Sequence, residues 1–314
     1  MILKGIALNV LYSIPPIRRR LTAADYNPKE TVDQMAAAAR DKVQWLRDRL
    51  PEGVSGKTIV ELGPGGDFAL EIALVGLGAA RTITIDRDAS YLPKQSTRVS
   101  ALYPLMASEF GVRSSGNSSK FAVRSSKTGL RTPNFELRTS ESELRTSNSR
   151  PFWHPPLSSD QFQYLVGKGI EREDRIPAGS VDVICSFAVL EHLPRLDRAF
   201  EAMRRLLKPG GWMIHKVDLR DHTDFSRPLE FLRYPEWLWV VSRWKWSYMN
   251  RARWSVYPPL LAAHGFRLVE RWPTRTLSDD ELAAQRPRLA RRFRRLTPDD
   301  LRLLGVGFTA QKIG

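Results

Sequence analysis

The 314-residue sequence predicts an α/β fold built on a mostly parallel sheet, and three observations lead there. Lys57 to Asp88 reads as one complete strand, glycine turn, helix, strand unit. Short apolar runs of strand length then alternate with helix-patterned segments to the C-terminus. Finally, Leu206-Leu207-Lys208-Pro209-Gly210-Gly211 turns the chain sharply out of an amphipathic helix and into an apolar strand.

Taken in order, Ile6 to Leu11 is apolar but too short to span a membrane, and Arg18-Arg19-Arg20 follow it. Positive charge after the apolar stretch, without a small-residue cleavage site, argues against a secretory signal. A membrane-surface helix with a basic flank and a helix packed on the domain remain as readings. Thr31 to Leu50 carries Met35, Val43, Trp45, Leu46 and Leu50 at helical spacing until Pro51 stops it, so residues 1–56 read as N-terminal capping helices. Thr58 to Leu62 is a buried strand broken by Gly63, Gly65 and Gly66; Phe68 to Leu77 is a helix; Thr82 to Ile85 is a second strand ending on Asp86. The glycines let the backbone approach a ligand, the helix N-terminus offers unpaired N–H groups, and Asp86 is placed to accept from ribose hydroxyls. A dinucleotide fingerprint would want glycine where Phe68 stands, which argues against NAD.

Leu92 to Phe110 reads as the next helix. Residues 111–150 are then rich in Ser, Thr and Arg and repeat every seven positions, as in Leu130-Arg131-Thr132, Leu137-Arg138-Thr139 and Leu144-Arg145-Thr146. A coiled-coil seam needs two apolar residues per heptad and this repeat holds one, so a disordered inserted loop is expected, with a basic RNA-binding arm as the alternative. Gln163 to Ile170 reads as strand three, with Glu171 and Asp174 after it. Val181 to Ser186 reads as strand four, followed by Leu190-Glu191-His192. Strand five, Trp212 to Leu219, ends among His215, Asp218, Arg220, Asp221 and His222, at the carboxyl edge where open α/β sheets bind ligands. Alternation puts His215 and Asp218 on opposite faces. Asp218 with His222 would make a base oriented by a carboxylate, and His192 is either a general base or an orienting group. No set of metal ligands is convincing at this level.

Arg233 to Tyr257 holds five of the nine tryptophans, Trp237, Trp239, Trp244, Trp246 and Trp254, interleaved with Arg243, Lys245, Arg251 and Arg253. Residues 223–258 read as a lid, its aromatics stacked on substrate or packed inward and its cations on a phosphate. Phe266 to Trp272 is strand six, Ser278 opens a basic helix running through Arg295, and Gly307 to Ile313 is the last strand.

The net charge of +15 and pI near 10.2 predict attraction to something anionic, whether nucleic acid, a phospholipid surface or an acidic substrate. Cys185 is the single cysteine, which excludes a disulfide framework and a cysteine metal centre and suits a reducing compartment.

At Glu61-Leu62-Gly63-Pro64-Gly65-Gly66 and Asp86 the chain resembles the class I S-adenosylmethionine-dependent methyltransferases. Leu190-Glu191-His192 and the Leu-Leu-Lys-Pro-Gly-Gly turn match the same family. The resemblance implies a Rossmann-like sheet of order 3-2-1-4-5-7-6 over residues 57–314, with S-adenosylmethionine as cofactor. Glu61, Gly63, Pro64, Gly65, Gly66, Asp86, Arg87, Asp174 and Ser186 would bind that cofactor, and His192, Asp218 and His222 would serve the acceptor. Strand four lacks both the Asn-Pro-Pro-Tyr type motif and the Pro-Cys nucleophile of base-modifying members. The expected activity is methyl transfer in the cytoplasm, with peripheral membrane contact as a further expectation. The acceptor would be small, its methylated atom an oxygen of a glycan- or lipid-related molecule. An RNA methyltransferase and a non-catalytic membrane scaffold are the alternatives, and the oligomeric state is open.

Replacing Ser115 to Ser149 by a short Gly-Ser linker should leave folding and cofactor binding near those of the full chain, because loop closure costs little and no core position is lost. Thermal unfolding of the deletion protein checks this; a collapse of the transition would make the repeat structural.

Overall fold

A computed structural model describes residues 31–65, 68–87, 92–112, 157, 160–242 and 249–314 of the chain. The Ile6 to Leu11 segment, Gly66, the heptad repeat and Trp244 and Trp246 lie outside them. Seven strands form one sheet: β1 (Thr58–Leu62), β2 (Arg81–Asp86), β3 (Phe162–Val166), β4 (Val181–Phe187), β5 (Leu207–Asp218), β6 (Phe266–Thr276) and β7 (Leu303–Lys312). Their order is β3-β2-β1-β4-β5-β7-β6, as the resemblance implies. The described chain divides into two compact units, Pro28–Gly169 and Ile170–Gly314.

In the first unit β1 pairs with β2 and β2 with β3, all parallel, in continuous register. Helix α1 (Val32–Arg49) starts at a capping box in which Thr31 and Gln34 satisfy each other's backbone N–H groups, and it buries Met35, Ala36, Ala39, Val43 and Leu46. Helix α2 (Ala69–Gly76) and helix α3 (Leu92–Phe110) complete the unit. Helix α2 begins one residue later than its apolar pattern suggests, because Phe68 adopts a left-handed φ of 55°. That conformation costs a non-glycine residue roughly 1–2 kcal/mol. The Phe68 ring is fully buried, edge-on to Phe162 at 5.3 Å and Tyr164 at 4.9 Å, and burying such a ring contributes about 1.5–3 kcal/mol, enough to hold the strained turn. Strand β3 ends earlier than expected, at Val166, since Gly167 turns away with φ 92° and Ile170–Arg172 forms a 3₁₀ turn.

In the second unit β4 pairs parallel with β5, and β7 pairs antiparallel with both β5 and β6. Strand β5 starts at Leu207 rather than Trp212: the Lys-Pro-Gly-Gly stretch is absorbed as a register shift between Val181 and Val183 of β4. Helix α4 (Leu196–Leu206) lays Phe200, Met203 and Leu206 into the core. The expected basic helix is instead three short pieces, helix α7 (Asp279–Gln285), a 3₁₀ turn at Arg286–Arg288 and helix α8 (Arg291–Arg294), because Pro287 cannot continue the hydrogen-bond ladder. Helix α5 (Glu236–Ser242) and helix α6 (Tyr257–Ala263) flank the described end of the lid segment, and helix α9 (Pro298–Arg302) leads into β7. Among the described residues no helix is long and apolar enough to cross a membrane.

Arg251 and Arg253, read from the sequence as cations for a substrate phosphate, are buried at 3% and 1% exposure. Arg251 donates to the carbonyls of Phe231 at 3.2 Å and Tyr234 at 2.7 Å. Arg253 donates to Leu219 O at 2.6 Å, Asp300 O at 3.1 Å and Leu301 O at 3.2 Å, and also to Leu303 O. Arg251 also pairs with the Glu236 carboxylate, and so engaged both arginines are framework. The lid's tryptophans divide likewise: Trp239 and Trp254 are buried, while Trp237 is 69% exposed.

Beside β1, Glu61 and Glu71 are both buried, and Lys42 reaches Glu61 Oε1 at 3.0 Å. Burial drives the Glu71 pKa well up, and the Glu61 charge pushes it further, against the pull of Lys42. Glu71 therefore keeps its proton in the folded state and loses it in the unfolded state near the ordinary value of about 4.3. Its stabilising contribution is complete below that pH and declines as pH rises towards the folded pKa, by up to about 1.4 kcal/mol per pH unit. Glu71→Gln should thus gain stability over the wild type as pH climbs from about 5 to 7. Urea unfolding across that range measures the gap; a gap independent of pH would show Glu71 ionised.

Candidate active site

In the Pro28–Gly169 unit, β1 runs out into Gly63-Pro64-Gly65. Gly63 and Gly65 take φ values of 62° and 79°, which favour glycine, and the Gly63 N–H donates to Ile85 O at 2.9 Å, tying the turn to β2. A Cβ built on Gly65 meets no atom of the described residues within 4 Å, so its φ rather than crowding calls for glycine. Pro64 is buried behind it. Asp86 stands half-buried at the carboxyl end of β2, its carbonyl accepting from Gly167 N–H at 2.9 Å, and Arg87 after it is exposed. A glycine turn with a partly accessible acid one strand away fits a nucleoside such as S-adenosylmethionine. Glu61 has one oxygen on Lys42 and the proton-bearing Glu71 beside it, so it braces the turn from below. Lys42 and Glu71 were not singled out in the sequence. Lys42 lies on the polar border of an amphipathic helix, and Glu71 interrupts an apolar run, which is the signal that marks a buried acid.

In the Ile170–Gly314 unit, Asp174 is exposed, whereas its neighbour Glu173 is buried and holds Arg175 Nη2 at 2.6 Å. Ser186 is buried, its hydroxyl 2.7 Å from His215 Nδ1. Burial pushes His215 down to about 3, so the imidazole is neutral and the pair is internal to the fold.

The loops after β4 and β5 bring together Glu191, His192, Asp218 and His222. Glu191 and His192 sit on a 3₁₀ turn, Leu190–His192, that Asn250 clasps by donating from Nδ2 to Leu190 O at 2.7 Å and Leu193 O at 3.0 Å. The Asn250 N–H adds a bond to Glu191 O at 2.8 Å. Glu191 is 2% exposed; its Oε1 accepts the Asp218 N–H at 3.2 Å and its Oε2 has no hydrogen-bond partner. Burial raises its pKa to about 8, backbone hydrogen bonds oppose the rise, and the Asp218 charge adds to it. His192 and His222 face each other with ring centroids 5.0 Å apart.

Asp218 is engaged mainly by Arg220, whose Nε and Nη2 approach Oδ1 and Oδ2 at 2.9 and 2.6 Å. His222 Nε2 lies 3.6 Å from Oδ2, longer than a hydrogen bond, so the carboxylate orients Arg220 first and His222 only electrostatically. Burial alone would raise the Asp218 pKa; Arg220 and His222 outweigh it and hold the carboxyl well below its usual range. Arg220 in turn lies 4.3 Å over the Phe225 ring. Glu191 was visible in the Leu-Glu-His motif but not chosen, and it is the most buried acid of the group. Although the sequence suggested no metal set, one ligand atom from each of Glu191, His192 and His222 falls within 4.8 Å of the others.

A family profile described as a methyltransferase domain matches residues 33–270. Curated protein sequences return no match. Among solved structures, the chain is similar to an S-adenosylmethionine-dependent methyltransferase from Mesorhizobium loti, 16% identical over 90% of this chain and 100% of that one, with a TM-score of 0.43. It is also similar to the YcgJ protein of Bacillus subtilis, 11% identical over 88% and 99%, TM-score 0.44. A third is the geranyl diphosphate C-methyltransferase of Streptomyces coelicolor, solved with Mg²⁺, geranyl diphosphate and S-adenosyl-L-homocysteine, 12% identical over 92% and 88%, TM-score 0.48. With the strand order, the glycine turn and a profile match over most of the chain, this protein belongs to the class I S-adenosylmethionine-dependent methyltransferases.

Proposed function

We propose that this enzyme methylates an oxygen of a small, glycan- or lipid-related acceptor. The cofactor supplies a methyl already activated by its sulfonium. The protein's work is therefore to align the acceptor in line with that methyl and to manage the proton the acceptor gives up. The observation that carries the reading is the meeting of two imidazoles and two carboxylates, His192, His222, Glu191 and Asp218, on the loops after β4 and β5. A hydroxyl methylated at such a place has groups beside it to polarise the O–H bond. Exposed Phe225 beside Arg220, and exposed Trp237, support a ring-bearing or lipid-linked acceptor, since flat aromatic faces stack on sugars and guanidinium groups bind phosphate.

Incubating the enzyme with labelled cofactor and separate glycan, lipid and RNA extracts tests the acceptor class. Label should enter the glycan or lipid pool; label confined to RNA would replace this reading with the one that the +15 charge favours. Asp86→Ala should weaken S-adenosylmethionine binding by roughly 1–3 kcal/mol, the scale of losing hydrogen bonds to a charged acceptor. Calorimetry on the folded variant decides it, and unchanged affinity would remove Asp86 from the ribose. His192→Gln and His222→Gln should each lower turnover at least about a hundredfold, the lower end of the range for removing a group that assists proton transfer. Their cofactor affinity should stay near wild type, and turnover unchanged in both would move the chemistry away from this cluster.

A further inference from the structure

We propose that Glu191, His192 and His222 form a binding site for a first-row divalent cation such as Zn²⁺ or Mn²⁺. Three observations meet there. One potential ligand atom from each side chain falls within 4.8 Å of the other two. Three ligands at about 2.0–2.2 Å around one tetrahedral ion stand about 3.3–3.6 Å apart, so side-chain shifts of roughly 1 Å close the set. Second, Glu191 Oε2 and His222 Nε2 are both buried atoms with no hydrogen-bond partner among the described residues. Leaving two such atoms unsatisfied at one place is costly, and a cation that accepts both lone pairs removes the cost. Third, the surrounding charge suits a cation. Asp218 Oδ2 lies 3.6 Å from His222 Nε2, and the nearby positive charge, Arg220, is bound to that same Asp218 carboxylate.

The ligand chemistry narrows the ion. Two imidazoles and one carboxylate favour first-row divalent ions over Ca²⁺ or Mg²⁺, which take mostly oxygen, and the absence of cysteine from the set argues against a soft monovalent ion. Three protein ligands also leave a coordination position open, the arrangement of catalytic rather than structural sites. What occupies that position rests on the proposed function: an acceptor hydroxyl bound there would be acidified by the ion. Its O–H bond would break with the proton passing to solvent. The oxygen would then take the methyl as the S–CH₃ bonding pair returns to sulfur.

The test needs neither cofactor nor acceptor. Chelator-treated, dialysed full-length protein titrated with ZnCl₂ and with MnCl₂ by calorimetry should show one site for at least one of the two ions. His192→Gln and His222→Gln should each weaken that site at least about tenfold, no less than the effect of losing an outer-shell partner. His264→Gln, on a histidine paired instead with Asp197 at 2.8 Å, should leave it unchanged. Both cluster variants remove half-buried side chains, and circular dichroism confirms that they fold. Glu191→Gln, shape-conserving at a buried position, is the third arm. No binding of either ion, binding undiminished in both histidine variants, or equal loss in the His264 variant would overturn the site while leaving methyl transfer intact. A bound ion with no methyl transfer to any extract would keep the site and sink the acceptor reading.

Discussion

The Ile170–Gly314 unit depends on a charge taken out of water. Arg253 is buried and gives its guanidinium to carbonyls at the end of β5, in α9 and at the start of β7. Removing a guanidinium from solvent costs several kcal/mol unless its donors are matched, and here main-chain oxygens take Nη1 and Nη2 while Nε has no hydrogen-bond partner among the described residues. Burial nonetheless pulls its pKa down to about 10, with the Asp300 charge working the other way. Asp300 completes the joint by accepting the Ser255 N–H at 3.0 Å and hydroxyl at 2.6 Å. One residue thus fixes where β5 stops, and where β5 stops decides where Asp218 to His222 begin.

Three residues earlier, Asn250 performs the matching task for β4 by holding the Leu190–His192 turn through its side-chain amide. A single stretch of chain, Asn250 to Arg253, therefore helps set the spacing between two loops that are far apart in sequence. The ionisable side chains they carry are correspondingly positioned, while Glu191 Oε2 and His222 Nε2 have no hydrogen-bond partner among the described residues. Buried polar groups left in that state are high-stakes, and they are the ones a site retains for chemistry.

The strands were legible because buried parallel strands are short apolar runs, and the glycine turn because its φ values exclude most other residues. Phe68 shows the limit of that reading. A phenylalanine where a turn needs a left-handed residue looks like the first residue of a helix, and only the Phe162 and Tyr164 rings, contributed from far along the chain, make the strained conformation affordable. The same limit hid the role of Arg251 and Arg253. Arginines among tryptophans read as a surface for anions, and nothing local reveals that four carbonyls from other elements will enclose one of them. Likewise Lys-Pro-Gly-Gly has every mark of a turn, and its place inside β5 follows from pairing with β4, which a one-dimensional pattern does not contain. The candidate site was half legible: His192, Asp218 and His222 were visible as residue types at strand ends, whereas Glu191 acquires its character from burial.

Strand β6 ends the sheet on one side, paired through β7 and through no other described strand. Along most of its length its side chains are exposed, and they include Arg267, Glu270, Arg271 and Arg275, with Pro273 interrupting the row of N–H donors. Such an edge repels a further strand by charge and denies it a continuous ladder. A second copy of the chain that sought to extend this sheet in register would meet a poorly receptive margin here, and the β6–β7 pair can stay open to water without seeding aggregates.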